Sequence, residues 1–114
     1  MAVGVDIEDI ERFRNKSDAF LNRIYTSKEL EYCLKYSNPA PHLAVRFCAK
    51  EAVIKALTAV DIHISEYKNI EILNDENNVP KIKLLKNFDS NIHFELSLSH
   101  DKTKAIAFVT VNLL

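Results

Sequence analysis

Leu43-Ala44-Val45-Arg46-Phe47-Cys48-Ala49-Lys50-Glu51-Ala52-Val53-Ile54-Lys55-Ala56-Leu57-Thr58-Ala59 is a run of 17 residues with no glycine or proline and many alanines and leucines. Such a run predicts a helix over 43–59. At 100° per residue, Leu43, Phe47 and Ile54 fall on one side and Val45, Ala49, Ala52 and Ala56 on another. A helix apolar almost all the way round belongs in a core. Yet this one carries Arg46, Lys50, Glu51 and Lys55, and the last two share a stripe with Ala44 and Cys48. Glu51 and Lys55 can be read as an i,i+4 pair on a solvated edge, worth about a few tenths of a kcal/mol. Near a core, charges need partners, and small neighbours leave room for a ligand to approach.

Working outward, Val3, Val5 and Ile7 alternate with Gly4 and Asp6, the pattern of a short strand. Ile7, Ile10 and Phe13 then recur every three residues, so this strand is expected to run into a helix. Phe20 to Ile24 continues a helical pattern. Thr26-Ser27-Lys28-Glu29 reads as the cap and first turn of a further helix, with Leu30, Cys33 and Leu34 inward and its end near Tyr36–Pro39. Asn38-Pro39-Ala40-Pro41 is a loop. Downstream, Ile70–Ile72 and Lys81–Leu84 flank the turn-rich Asn74-Asp75-Glu76-Asn77-Asn78, a hairpin signature. Ile92, Phe94, Leu96 and Leu98 alternate with polar residues, and Ala105 to Val111 forms a last strand after a turn at His100–Thr103. Helices followed by strands predict an α+β fold, an antiparallel sheet with a long buried helix, in one domain over 1–114.

Composition narrows the function. Lys plus Arg number 15 against 16 Asp plus Glu, which argues against a sequence-independent nucleic-acid binder. The single glycine, Gly4, excludes a P-loop and a GxGxxG fingerprint, since both need several glycines close together. Any phosphate must then be held by side chains, a metal or helix ends. No apolar run approaches the ~20 residues that span a bilayer. The opening residues lack the basic start and apolar core of a signal peptide. Cys33 and Cys48 show no CxxC spacing, so reduced, packing cysteines and a cytoplasmic location are the expectation. A chain this short encloses a large ligand poorly in one copy, which favours oligomerisation.

Besides that helix, two places could carry chemistry. Asp6 follows a Val-rich strand on the face opposite Val3, Val5 and Ile7. It reads either as an N-cap or as a metal ligand, with Glu51 available as a second carboxylate. Ser97-Leu98-Ser99-His100-Asp101 closes a strand. Adjacent Ser, His and Asp do not make a triad, and no GxSxG elbow is present. His42, His63 and His93 read as structural or exposed.

Together these stretches resemble the holo-acyl-carrier-protein synthases, the short type of 4′-phosphopantetheinyl transferase. Gly4-Val5-Asp6-Ile7-Glu8-Asp9-Ile10-Glu11-Arg12-Phe13 is similar to the family's opening motif. Phe20 to Leu30 is similar to F-x-x-R-I-[LFY]-T-x-x-E, Arg46 to Ala56 to R-[FW]-x-x-K-E-A-x-x-K-A, and Ser97 to His100 to S-x-S-H, all in register over nearly the whole chain. The resemblance implies the phosphopantetheinyl transferase fold. It also implies an Mg²⁺-dependent transfer of phosphopantetheine from coenzyme A, the co-substrate, to a serine of an acyl or peptidyl carrier protein, releasing adenosine 3′,5′-bisphosphate. By motif, Asp6 and Glu51 would be metal ligands and Lys55 would contact the diphosphate. Arg46 and His100 would hold the nucleotide and its 3′-phosphate, and Lys50 is the remaining lysine of the cofactor-binding helix. Glu51 is the first candidate to accept the serine proton and Asp101 the second. Arg12 and Arg23 would dock the acidic carrier helix. The family further implies a homotrimer with sites between subunits. Hard oxygen ligands suit Mn²⁺ as well as Mg²⁺.

The chain departs from the pattern in one main place. Thr58-Ala59-Val60-Asp61-Ile62-His63-Ile64-Ser65 stands where the family has a G-T-G-[IL]-G turn. Asn78-Val79-Pro80 replaces G-K-P, and Ala19 replaces a frequent arginine. Two consequences are open: a divergent enzyme serving a dedicated carrier, or a catalytically silent homologue that binds coenzyme A or a carrier as a regulatory module. Rates on several carriers separate the first from a general enzyme; a preference for the fatty-acid carrier would sink it.

Overall fold

The structure, a computed structural model, describes residues 1–86, 88 and 91–114. A first strand β1 (Ala2–Asp9) leads into a 3₁₀ turn at Ile10–Phe13. Helices α1 (Asp18–Ile24), α2 (Ser27–Leu34) and α3 (Ala40–Ala59) follow. After a 3₁₀ turn at Tyr67–Asn69 come β2 (Ile70–Asn74), β3 (Pro80–Leu84), β4 (Ile92–His100) and β5 (Lys104–Leu113). The strands form two antiparallel sheets, β1-β5-β4 and the hairpin β2-β3. The α+β expectation holds: β1 pairs with the last strand and runs directly into a short 3₁₀ helix, as the spacing of Ile7, Ile10 and Phe13 predicts.

α3 lies against β1 and β5 and also touches β2, so one helix spans both sheets. Its small residues explain how close it comes. Ala44, Cys48, Ala49, Ala52 and Ala56 are fully buried. A Cβ on Gly4 would fall 2.0 Å from the Ala52 carbonyl oxygen, so strand and helix backbones meet at the one position with no side chain. Ala2 and Gly4 face inward, with Asp6 and Glu8 following on the same face; Val3, Val5 and Ile7 face outward. Their neighbours on β5, Ile106 and Phe108, are exposed as well. The sheet thus shows an apolar outer face.

One expectation about α2 is corrected. Leu34 is exposed rather than inward, while Glu29 is buried. Thr26 and Glu29 do form the capping box. Glu29 does more than cap: its Oε1 also meets Lys50 Nζ at 2.7 Å, and its Oε2 accepts the Ile72 amide at 2.8 Å.

The glycine-free segment closes by regular means. The Asp61 amide donates to the Thr58 carbonyl and the Ile62 amide to the Leu57 carbonyl, the two bonds of a Schellman turn ending α3. Asp61 takes the left-handed position usually given to glycine, with φ 63°. Asn78 does the same in the β2–β3 hairpin, with φ 62°. There the Asp75 carboxylate accepts the amides of Asn77 and Val79.

Candidate active site

Asp6 and Glu8 alternate onto the inward face of β1, and Glu51 and Lys55 stand one turn apart on α3 behind them. Lys55 Nζ donates to the Val5 carbonyl at 3.0 Å and to Asp6 Oδ1 at 3.1 Å. The other oxygen, Asp6 Oδ2, is buried and meets no donor when the neighbouring Glu8 is ionised. Glu51 Oε1 accepts the Tyr67 hydroxyl at 2.5 Å. Glu8 pairs with Arg12.

These groups sense each other. Burial first, then the hydrogen bond and charge of Asp6, push the Glu8 carboxyl up to about 7, with Glu51 adding to the rise. The hydrogen bond to Glu51 leads the causes that push the Tyr67 hydroxyl up to about 12, with Glu8 and Asp6 also contributing. Burial and the charges of Asp6 and Glu8 push the Cys48 thiol up to about 12, so it is a packing residue rather than a nucleophile.

The raised Glu8 carboxyl has a measurable consequence. In the unfolded chain Glu8 ionises near its ordinary value. In the folded chain it holds its proton up to about 7. The native state therefore binds more protons between those values, and Glu8 removes stability as pH rises through that window. Glu8→Gln is expected to melt higher than wild type at pH 8 without added metal, with the gain gone by pH 5. Equal gains at both pH values would contradict this.

A second cluster lies around Arg46, which is 2% exposed. Its guanidinium sits 4.1 Å over the Tyr32 ring. Two of its nitrogens make contacts at 3.5 Å, to the His42 carbonyl and Asn74 Oδ1, and its Nε is buried without an acceptor. A buried cation this poorly matched suits an incoming anion. The Tyr36 ring stacks on His42 at 3.7 Å. Burial and then the charge of Arg46 lower the His42 pKa, with His100 contributing. His100 is exposed at the end of β4, its Nδ1 3.2 Å from the Asp101 carbonyl.

Two expectations are corrected here. Lys50 is not at a ligand surface. It is fully buried, ion-paired with Glu29 and bonded to the carbonyls of Ile24, Tyr67 and Ile70 at 2.8, 3.1 and 2.7 Å. Burial lowers its pKa, opposed chiefly by Glu29. Its work is to join α1, α2, α3 and β2 rather than to bind coenzyme A. Asp101 is occupied as a turn residue. Its Oδ1 accepts the amides of Thr103 and Lys104, and those bonds hold its carboxyl below the usual range, which makes it a weak base.

Arg12 sits exposed on the 3₁₀ turn, and Arg23, exposed in the last turn of α1, lines a hollow with Ser65, Glu66, Tyr67 and Lys68. Glu8 and Tyr67 join the site beside the residues that the sequence motifs predict. For Glu8 a signal existed, since period-two alternation puts it on the face of Asp6. For Tyr67 none did, because its contact with Glu51 spans the segment without glycines.

Comparison with known proteins gives the family. A family model described as the 4′-phosphopantetheinyl transferase superfamily matches residues 2–109, and the chain belongs to that family. The holo-[acyl-carrier-protein] synthase of Thermodesulfovibrio yellowstonii is 41% identical over 113 residues, covering 96% of each chain. The crystal structure of a holo-(acyl-carrier-protein) synthase from Bacillus anthracis, in complex with CoA (3′,5′-ADP), superposes with a TM-score of 0.81 at 30% identity, covering 96% of this chain and 94% of that one. The Helicobacter pylori enzyme in complex with coenzyme A gives 0.76 at 28% identity, over 96% and 99%.

Proposed function

We propose that this chain, as one domain over 1–114, transfers 4′-phosphopantetheine from coenzyme A to a serine of an acyl carrier protein or related carrier domain. The serine oxygen attacks the phosphorus on the pantetheine side of the diphosphate. The bond to the nucleotide phosphate breaks, and adenosine 3′,5′-bisphosphate leaves. The observation that carries the reading is Asp6 Oδ2, buried beside Lys55 with no donor once Glu8 has lost its proton. An orphaned carboxylate oxygen in such a place fits a divalent cation.

Asp6 and Glu51 would hold Mg²⁺. Among the described residues no set of three His, Cys, Asp or Glu side chains is gathered to hold an ion alone, which suits a cation whose remaining ligands are substrate phosphates and water. When bound, Mg²⁺ supplies charge neutralisation on the diphosphate. Lys55 would add its ammonium to the same oxygens, and Arg46 and His100 would take the nucleotide phosphates. With Asp101 held low, Glu51 is the remaining candidate to accept the serine proton. Arg12 and Arg23 lie on the exposed surface of the first turns, where an acidic carrier helix can reach them.

The apolar outer face of β1 and β5 supports a homotrimer with sites between subunits. No helix among the described residues is long and apolar enough to cross a membrane. The buried, unbridged Cys33 and Cys48 suit the reducing cytoplasm. The silent-homologue reading rests on the missing glycines; the Asp61 turn closes α3 without them.

The test incubates the chain with an apo-carrier, coenzyme A and Mg²⁺ and weighs the carrier. The expected result is the mass of one added phosphopantetheine. No gain on any carrier, together with tight coenzyme A binding, would favour the silent homologue. Sedimentation of the same sample should report three copies, and a monomer would overturn the assembly.

A further inference from the structure

Asp6, Glu8 and Glu51 each have their own donor, and the donors are unlike. Asp6 takes the ammonium of Lys55 and Glu8 the guanidinium of Arg12. Glu51 takes a neutral hydroxyl, from Tyr67. A cationic donor cancels charge on its carboxylate and competes with an incoming cation. A neutral donor fixes the carboxylate and leaves its charge in place.

Tyr67 is itself held at three points. Its ring packs on Phe47, centroids 5.3 Å apart. Its carbonyl accepts Lys50 Nζ at 3.1 Å. Its hydroxyl donates to Glu51. Phe47, Lys50 and Glu51 lie within two turns of α3, so the helix grips the residue at backbone, ring and hydroxyl. Ring and backbone are therefore held by contacts that do not depend on Glu51. A free glutamate side chain has three rotatable bonds to order, and ordering them weakens binding.

We propose that Tyr67 is a positioning residue: its hydroxyl fixes Glu51 Oε1 and turns Oε2 toward the cation shared with Asp6. This rests on the reading of Asp6 and Glu51 as cation ligands. Partners of this kind, one step behind a metal ligand, typically contribute about 10- to 100-fold to metal affinity. They do so without touching substrate.

The test is Tyr67→Phe, which keeps the ring on Phe47 and removes only the oxygen. Mn²⁺ alone is titrated into the metal-free protein and followed by water-proton relaxation. The expected result is a dissociation constant about 10-fold weaker than wild type. The Mg²⁺ concentration for half-maximal transfer should rise in parallel, while KM for coenzyme A at saturating Mg²⁺ and the melting midpoint stay near wild type. An unchanged Mn²⁺ constant in Tyr67→Phe overturns the proposal and leaves the metal reading standing. A weakened constant that merely tracks a fall in the melting midpoint also overturns it. A wild-type protein that binds no Mn²⁺ overturns the metal reading and this proposal together.

Discussion

Glu51→Ala should bring carrier modification down by about a thousandfold or more, to the limit of mass detection, in a protein that still folds. The size follows from what the residue would supply. Losing one preorganised group that stabilises developing charge costs on the order of a hundred- to a thousandfold. Glu51 is assigned both a cation-holding and a proton-accepting role, so its loss sits at or above the upper end. The fold should survive because Glu51 is only half-buried, on the exposed margin of α3. Alanine is the best helix former, and the one partner left behind, the Tyr67 hydroxyl, is within reach of water. Transfer rate and melting midpoint, measured on the same preparation, check this. A variant that melts like wild type and still transfers at a tenth of its rate would remove Glu51 from the chemistry.

Lys50→Met should have the largest effect on stability, about 3–5 kcal/mol, as found when one partner of a buried ion pair is removed. Native domains hold only about 5–15 kcal/mol in all, so the variant sits close to unfolding. Methionine matches the length of the stem and removes the charge. Glu29 then remains buried beside the amides of Thr26 and Ile72 without its cation. The carbonyls of Ile24, Tyr67 and Ile70 lose their shared donor. Urea unfolding should show the midpoint shift. The double variant Glu29→Gln, Lys50→Met should recover part of the loss, because the stranded charge is gone. A double variant no better than Lys50→Met alone would show that the carbonyls, not the ion pair, carry the effect.

Local signals were sufficient for much of this molecule. The unbroken run before Ala59 declares α3, and the turn residues around Asp75 declare the hairpin. The alternation in 92–98 declares β4, and the motifs on β1 and α3 placed Asp6, Glu51 and Lys55 together. What escaped was decided by long-range packing. Val3, Val5 and Ile7 look like a core face, yet Gly4 and Ala2 are the residues small enough to meet α3. Glu29 reads as a surface cap, and nothing near it in the chain announces Lys50 or Ile72. Lys50 lies in the same motif as Glu51 but points the other way round the helix, into the core. Asp101 looked like a base because it follows His100, and its amide partners lie in the next turn.

Asp61 and Asn78 stand where glycine is usual, and this bears on the unfolded chain as much as on the folded one. A residue with a Cβ roams less in the unfolded ensemble than glycine does, so less freedom is lost when the turn sets, by about 0.4–1 kcal/mol per position. Against this stands the local strain of a left-handed residue, which Asp and Asn tolerate better than most. A chain with a single glycine in 114 residues thus starts from a narrower ensemble. The benefit lies in the unfolded state, where the connecting segments have fewer conformations to lose when the chain folds.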